Sequence, residues 1–251
     1  WIPLLGGSLL MTLAMWAVFD VIWFVARLMA RADGERVVWA SAVNGAATIL
    51  LWTISLFLLR DGTSSLWWLM RPSQSLLILL AVAAFLRIGF YPFQILYVDT
   101  PGHSRPLNLI GMLSPVMGVA LLYRLLLLPG VERLPAWAVG WAALSVFWSG
   151  VRAVTGSGQR CLISAGYGVF LTVVTGALVQ HDPTLLMFGL ATWVAGTALL
   201  LTARSHDRNR PFWSLATSIA LAFLLGGPPS PLGTIYLGVL CGAPWPWRIV
   251  F

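Results

Sequence analysis

FLRIGFYPFQILYVD, residues 85–99, closes a long apolar run that begins near residue 73, and it sets Arg87 inside that run with Pro92 five residues further on. A charged side chain at the centre of a membrane-spanning helix costs about 2.5–3.5 kcal/mol on insertion scales, and such residues face a protein interior or a wet cavity, commonly in pairs. A proline in the same stretch removes a backbone donor and breaks the helix. Whether the rest of the chain reads as a membrane protein therefore decides what this stretch is.

The chain has 251 residues, 59% hydrophobic and 9% charged, where an ordinary soluble domain carries about 25% charged residues. A soluble core this apolar has no polar surface to wet it, so the composition predicts an all-α, polytopic transmembrane helix bundle. The alternating ten-residue segments of an outer-membrane barrel are absent. Eight apolar segments, each near the length of a bilayer span, lie at 4–30, 37–59, 73–96, 106–128, 135–154, 160–180, 184–203 and 211–243. They make one transmembrane domain over residues 1–251. The last is interrupted by GGPPSPLG, 226–233, and reads as a broken helix or a helix with a re-entrant piece. The membrane expected is a bacterial inner or cytoplasmic-type one.

All 15 basic residues are arginine, and the net charge is +7. Nine of them lie on the side of the loop carrying Arg27, Arg31 and Arg36, and five on the opposite side. The positive-inside rule puts that loop in the cytoplasm and Trp1 outside. Trp67, Trp68, Trp137, Trp141, Trp245 and Trp247 cluster at segment ends, as an interfacial aromatic belt does; the alternative is a quinone or pigment site stacked on these rings, and lipid or quinone contact is the one cofactor reading left open.

Asp20 and Arg87 are the two charges that fall well inside predicted spans, and each is the other's expected partner. A static ion pair locking the first span to the third is one reading; a charge on an ion path is the other. Helix breaks are expected at Pro92, Pro115, Pro228, Pro229 and Pro231, since open backbone at membrane depth survives only inside protein or along a wet cavity. Asn44, Asn108, Ser164, Tyr167, Thr192 and Tyr236 could extend a polar path or simply make helix-packing hydrogen bonds. His103, His181 and His206 fall at loops, where a proton entry or exit role competes with ordinary solvation. Cys161 and Cys241 read as small buried hydrophobes, and without a Cys/His cluster no metal or iron–sulfur site is expected. No phosphate loop, nucleophile elbow or HExxH is present, so no catalytic residue and no cofactor is assigned to this chain, and no nucleic-acid partner.

RIGFYPFQILYVDTPGHSRP, 87–106, resembles the broken-helix motif of the antiporter-like subunits of respiratory complex I, related hydrogenases and Mrp-type cation antiporters, with Arg87 at the motif's lysine, Pro92-Phe93-Gln94 at its Pro-Phe-His, Asp99 at its aspartate and Ser104-Arg105-Pro106 at its Pro-Thr-Pro. SAVNGAATILLWTISLFLLRDGTSSL (41–66), SPVMGVALLYRLL (114–126), QRCLISAGYG (159–168) and SLATSIALAFLLGGPPSPLG (214–233) resemble further family helices in the same order. The likeness covers most of the chain and is similar above all to the complex I subunit at the quinone-module end of the membrane arm. Family members have about fourteen helices, so this chain would lack the first few and the last one or two.

The resemblance implies a proton path built on a membrane glutamate paired with that lysine, a second lysine on the next helix and a lysine or glutamate on the second broken helix. Asp20 falls roughly at the glutamate, Arg87 at the lysine, Pro115 at or near the second lysine and Tyr236 near the last. An arginine keeps its proton in a protein, a proline has none to exchange, and a tyrosine ordinarily titrates near pH 10. The expectation is an antiporter-like membrane-arm subunit of a larger redox-driven or carbon-uptake complex, its own proton channel degenerate, with other membrane subunits and lipids as partners. The alternatives are an active proton or cation translocator working through Asp20 and Arg87, and a quinone- or pigment-contacting subunit of a respiratory or photosynthetic supercomplex.

Overall fold

The computed structural model describes residues 7–29, 34–93, 113–128, 135–155 and 159–203. These residues are all-helical. The helices are α1 (Leu9–Met29), α2 (Gly34–Arg60), α3 (Gln74–Ile88), α4 (Leu113–Leu126), α5 (Ala136–Thr155), α6 (Gln159–Gln180) and α7 (Pro183–Ala203). Among the described residues two helical stretches, Leu9–Met29 and Val37–Arg60, are long and apolar enough to cross a membrane. The expected span at 211–243, with Pro228, Pro229 and Pro231, lies outside the described residues. The chain divides into two compact units, Trp1–Ala138 and Val139–Phe251.

In the first unit α1 packs on α2, α2 on α3 and α3 on α4. The inner face of α1 buries Leu9, Leu13, Trp16 and Trp23, while Val18, Val21, Ile22 and Val25 are exposed. On α2, Ala47, Leu51, Ile54 and Leu58 are buried and Ile49, Trp52, Leu56 and Leu59 exposed. Both helices thus carry apolar residues all round, the pattern of a helix immersed in apolar surroundings. Glu35 in the first turn of α2 and Arg60 in its last complement the helix dipole.

α3 ends at Ile88, earlier than the 96 expected from the apolar run, and the residue that ends it is Gly89 rather than Pro92. Gly89 takes φ 82°, a left-handed conformation that a residue without Cβ adopts cheaply. Its amide donates to the carbonyls of Phe85 and Leu86, the Phe90 amide donates to the Phe85 carbonyl at 3.0 Å, and the Phe85 and Phe90 rings meet tilted, with centroids 4.4 Å apart. Together these make a Schellman cap with its customary apolar contact. Pro92 lies in the turn beyond that cap. Pro115 does not interrupt α4 either: it sits in the first turn of Leu113–Leu126, where a missing N–H costs no described hydrogen bond.

α4 meets α3 at Gly118. A Cβ there would sit 2.7 Å from the Ile88 amide nitrogen and 2.8 Å from the Ala84 carbonyl oxygen, so hydrogen alone fits. The connection between α2 and α3 folds back on the start of α1. Ser8 and Leu66 form an isolated antiparallel bridge, with the Leu9 amide on the Ser65 carbonyl at 2.9 Å and the Trp67 amide on the Gly7 carbonyl at 3.3 Å.

In the second unit α6 packs on α7, with Gly189 of α7 against Val173 of α6. The Ser149 hydroxyl of α5 donates to the Ser164 carbonyl of α6 at 2.7 Å. The turn from α6 to α7 is tight. His181 takes φ 54°, the Asp182 amide returns to the Ala177 carbonyl at 3.1 Å, and Asp182 Oδ1 caps α7 by accepting from the Thr184 amide at 2.9 Å, with Pro183 at the first helical position. A left-handed residue with a Cβ costs about 1 kcal/mol relative to glycine. His181→Gly is therefore expected to stabilise this unit by about 1 kcal/mol, seen as a raised thermal unfolding midpoint of the full chain in detergent.

Candidate functional site

Four helices converge on one buried ion pair. Arg87, in the last turn of α3, places Nη2 2.6 Å from Oδ1 of Asp20, midway along α1. Arg87 is 0% exposed and the Asp20 side chain 18%. The position suits a cation, because the C-terminal end of a helix carries partial negative charge. The second guanidinium nitrogen, Nη1, donates to the Asn44 carbonyl at 3.3 Å, and Nη2 also approaches the Met117 sulfur at 3.7 Å. The guanidinium carbon stands over the Trp16 ring, 4.6 Å from its centroid, and 5.5 Å from the Phe19 centroid, a cation–π arrangement.

The carboxylate is held from the other side. Asp20 Oδ2 accepts the Thr48 hydroxyl of α2 at 2.7 Å. One turn away on α2, Asn44 Oδ1 accepts the Ser114 hydroxyl of α4 at 3.0 Å, and the same hydroxyl lies 3.4 Å from the Arg87 carbonyl, one of the acceptors that a helix end leaves unused. Asp20, Thr48, Asn44, Arg87 and Ser114 thus tie α1, α2, α3 and α4 through one polar cluster. Its formal charge is zero. Arginine does not release its proton in a protein, and threonine, serine and asparagine do not titrate in the working range. Of the five, Asp20 carries the one carboxyl.

The other residues singled out in the sequence are placed elsewhere. Ser164 and Tyr167 lie on α6 in the second unit. Tyr167 is buried against Phe170 and Trp193, each with ring centroids 5.8 Å away, and Phe170 stacks on Trp193 at 4.7 Å. His181 occupies the α6–α7 turn. Thr192 lies within α7. Asn108, His103, His206, Tyr236, Asp99 and Cys241 lie outside the described residues. Among the described residues no group of three His, Cys, Asp or Glu comes together as a metal site.

Sequence reasoning missed Thr48, Ser114, Met117 and Trp16 as members of the cluster. The signal for Thr48 was present: Ser41, Asn44, Thr48 and Ser55 recur at helical spacing through an apolar span, and polar groups on one face of such a helix mark the side turned inward. Compared with family models, with curated proteins and with solved structures, the chain matches none of them.

Proposed function

We propose that this chain is an integral membrane subunit of the antiporter-like kind, built into a larger ion-translocating assembly, and that its buried ion pair serves to lock helices rather than to relay protons. The observation that carries the reading is the Asp20–Arg87 pair at 2.6 Å, closed by Thr48, Asn44 and Ser114. A relay needs groups that take up and release a proton in turn, and the cation of this pair is an arginine. The membrane setting is supported by the apolar residues that α1 and α2 turn outward, among them Val18, Val21, Ile22, Ile49, Trp52 and Leu56, around a charged centre. Soluble monomers rarely expose large contiguous apolar patches. The ordered resemblance of five segments supports the antiporter-like assignment, a redox-driven or carbon-uptake complex as its setting, and a polytopic bundle of about eight spans in a bacterial inner or cytoplasmic-type membrane.

Native mass spectrometry of the protein extracted in mild detergent from its own membranes tests this. Co-migration with other membrane subunits supports the assembly reading; migration alone or as a homo-oligomer overturns it. The part exposure of Asp20, 18%, favours one second reading, an active translocator that takes protons or cations to that carboxylate. Asp20→Asn separates the two. The locking role predicts ion flux by the assembly at the parental rate per assembled complex, with less complex recovered. The translocator predicts normal assembly and lost flux.

A further inference from the structure

Trp16, Asp20 and Trp23 stand at i, i+4 and i+7 on α1, which puts them on one face over about 10 Å of helix. The two indoles are 0% and 1% exposed, and among the described residues neither Nε1–H has an acceptor; the same holds for Nε of Arg87 and for the Ser41 hydroxyl of α2. A buried donor left unsatisfied costs about 1–3 kcal/mol, and the great majority of buried polar atoms find partners in protein or ordered water. Several such groups on one seam, on either side of a single carboxylate, have a common explanation.

Their chemistry restricts it. Trp16 Nε1, Trp23 Nε1 and Arg87 Nε are donors, so whatever meets them accepts. The Asp20–Arg87 pair is formally neutral, so the Trp16 end of the seam offers an anion no net charge; at the other end the buried Arg27 guanidinium stands over the Trp23 ring, 4.5 Å from its centroid. Arg87 lies on the Trp16 ring, 4.6 Å from its centroid, which brings those two donors together. The Asp20–Thr48 bond sets the register of α1 against α2, joined by a short connection and therefore antiparallel. One turn from Asp20 toward the end of α1 corresponds to one turn from Thr48 toward the start of α2, which sets Trp23 level with Asn44 and leaves Ser41 a further turn away. Buried water makes about three hydrogen bonds to groups of this kind.

We propose that the α1 seam binds ordered water at two positions, one on Trp16 Nε1 and Arg87 Nε, the other on Trp23 Nε1. Each water accepts from an indole and turns its own hydrogens to nearby oxygens, the Asp20 carboxylate among them. The ion pair is then a hydrated centre flanked by water one turn away on either side. The inference stands on the orphaned donors and not on the membrane or assembly reading.

The test uses the full chain in lipid nanodiscs. Ultraviolet resonance Raman difference spectra, parent minus Trp16→Phe and parent minus Trp23→Phe, isolate each indole. The expected result is a hydrogen-bonded N–H at both. In the infrared, an O–H stretching band that moves in H2-18O is expected, and is expected to be lost in each variant. A free indole N–H at either position overturns the proposal there. A hydrogen-bonded indole without an isotope-sensitive band overturns it in favour of a carbonyl acceptor, such as a lipid ester. Should a phenylalanine variant fail to fold, benzothienylalanine keeps the shape of tryptophan without the N–H and supports the same comparison.

Discussion

Arg87→Met is expected to lower the unfolding free energy of the chain by about 3–5 kcal/mol, the range for removing one partner of a buried ion pair, and the Asp20→Asn/Arg87→Met double variant is expected to recover most of that loss. The single change strands the Asp20 carboxylate among helices, where charge without a partner is costly. It also removes the guanidinium from the face of Trp16 and from the Asn44 carbonyl, while methionine keeps much of the apolar volume. In the double variant the asparagine carbonyl still accepts the Thr48 hydroxyl and no charge is buried. Replacing a buried pair by neutral groups of similar size is commonly neutral or stabilising. Reversible denaturation of the four proteins of the cycle in detergent micelles reads the coupling. Additive losses would sink the idea that the pair is the unit.

Gly118→Val is the second large effect. A Cβ at 118 would lie 2.7–2.8 Å from Ile88 N and Ala84 O, and those are backbone atoms of the last turn of α3, with no rotamer to give. α3 and α4 must separate, at about 1–3 kcal/mol for overpacking, and the Ser114–Asn44 hydrogen bond one turn away opens with them. Gly45 on α2 is the contrast: a Cβ there meets nothing within 4 Å, so Gly45→Ala should stabilise by up to about 1 kcal/mol through helix propensity. Thermal unfolding midpoints of the two variants should move in opposite directions. A Gly118→Val protein as stable as the parent would mean that α3 and α4 do not approach so closely.

Hydropathy located the described helices well, because apolar runs bounded by Gly, Pro and Arg leave little choice of span: the segments read at 37–59, 135–154, 160–180 and 184–203 correspond to α2, α5, α6 and α7 within a few residues. The end of α3 is not where the apolar run and Pro92 put it: the stop is written in Phe85, Gly89 and Phe90, a pattern of a glycine between two aromatic rings that is local and legible once caps are weighed before prolines. Asp20 and Arg87 could be matched from sequence because isolated opposite charges in apolar spans have few other partners. Their companions could not, since which face of α2 and which turn of α4 meet them depends on interhelical register, and periodicity within one helix does not contain it.

The early cap on α3 bears on bilayer thickness. Fifteen residues make a rod of about 22 Å, against about 30 Å of hydrocarbon in a typical bilayer. For a chain that spans a membrane as proposed, α3 stops short of one leaflet boundary, and residues 89–93 follow it at that depth as turns rather than helix. Such a stretch needs a protein sheath. Ile88 and Phe90 are each 0% exposed, so the sheath is in place at the point where the rod ends, and the charged last turn is kept from the lipid by that covering instead of by depth.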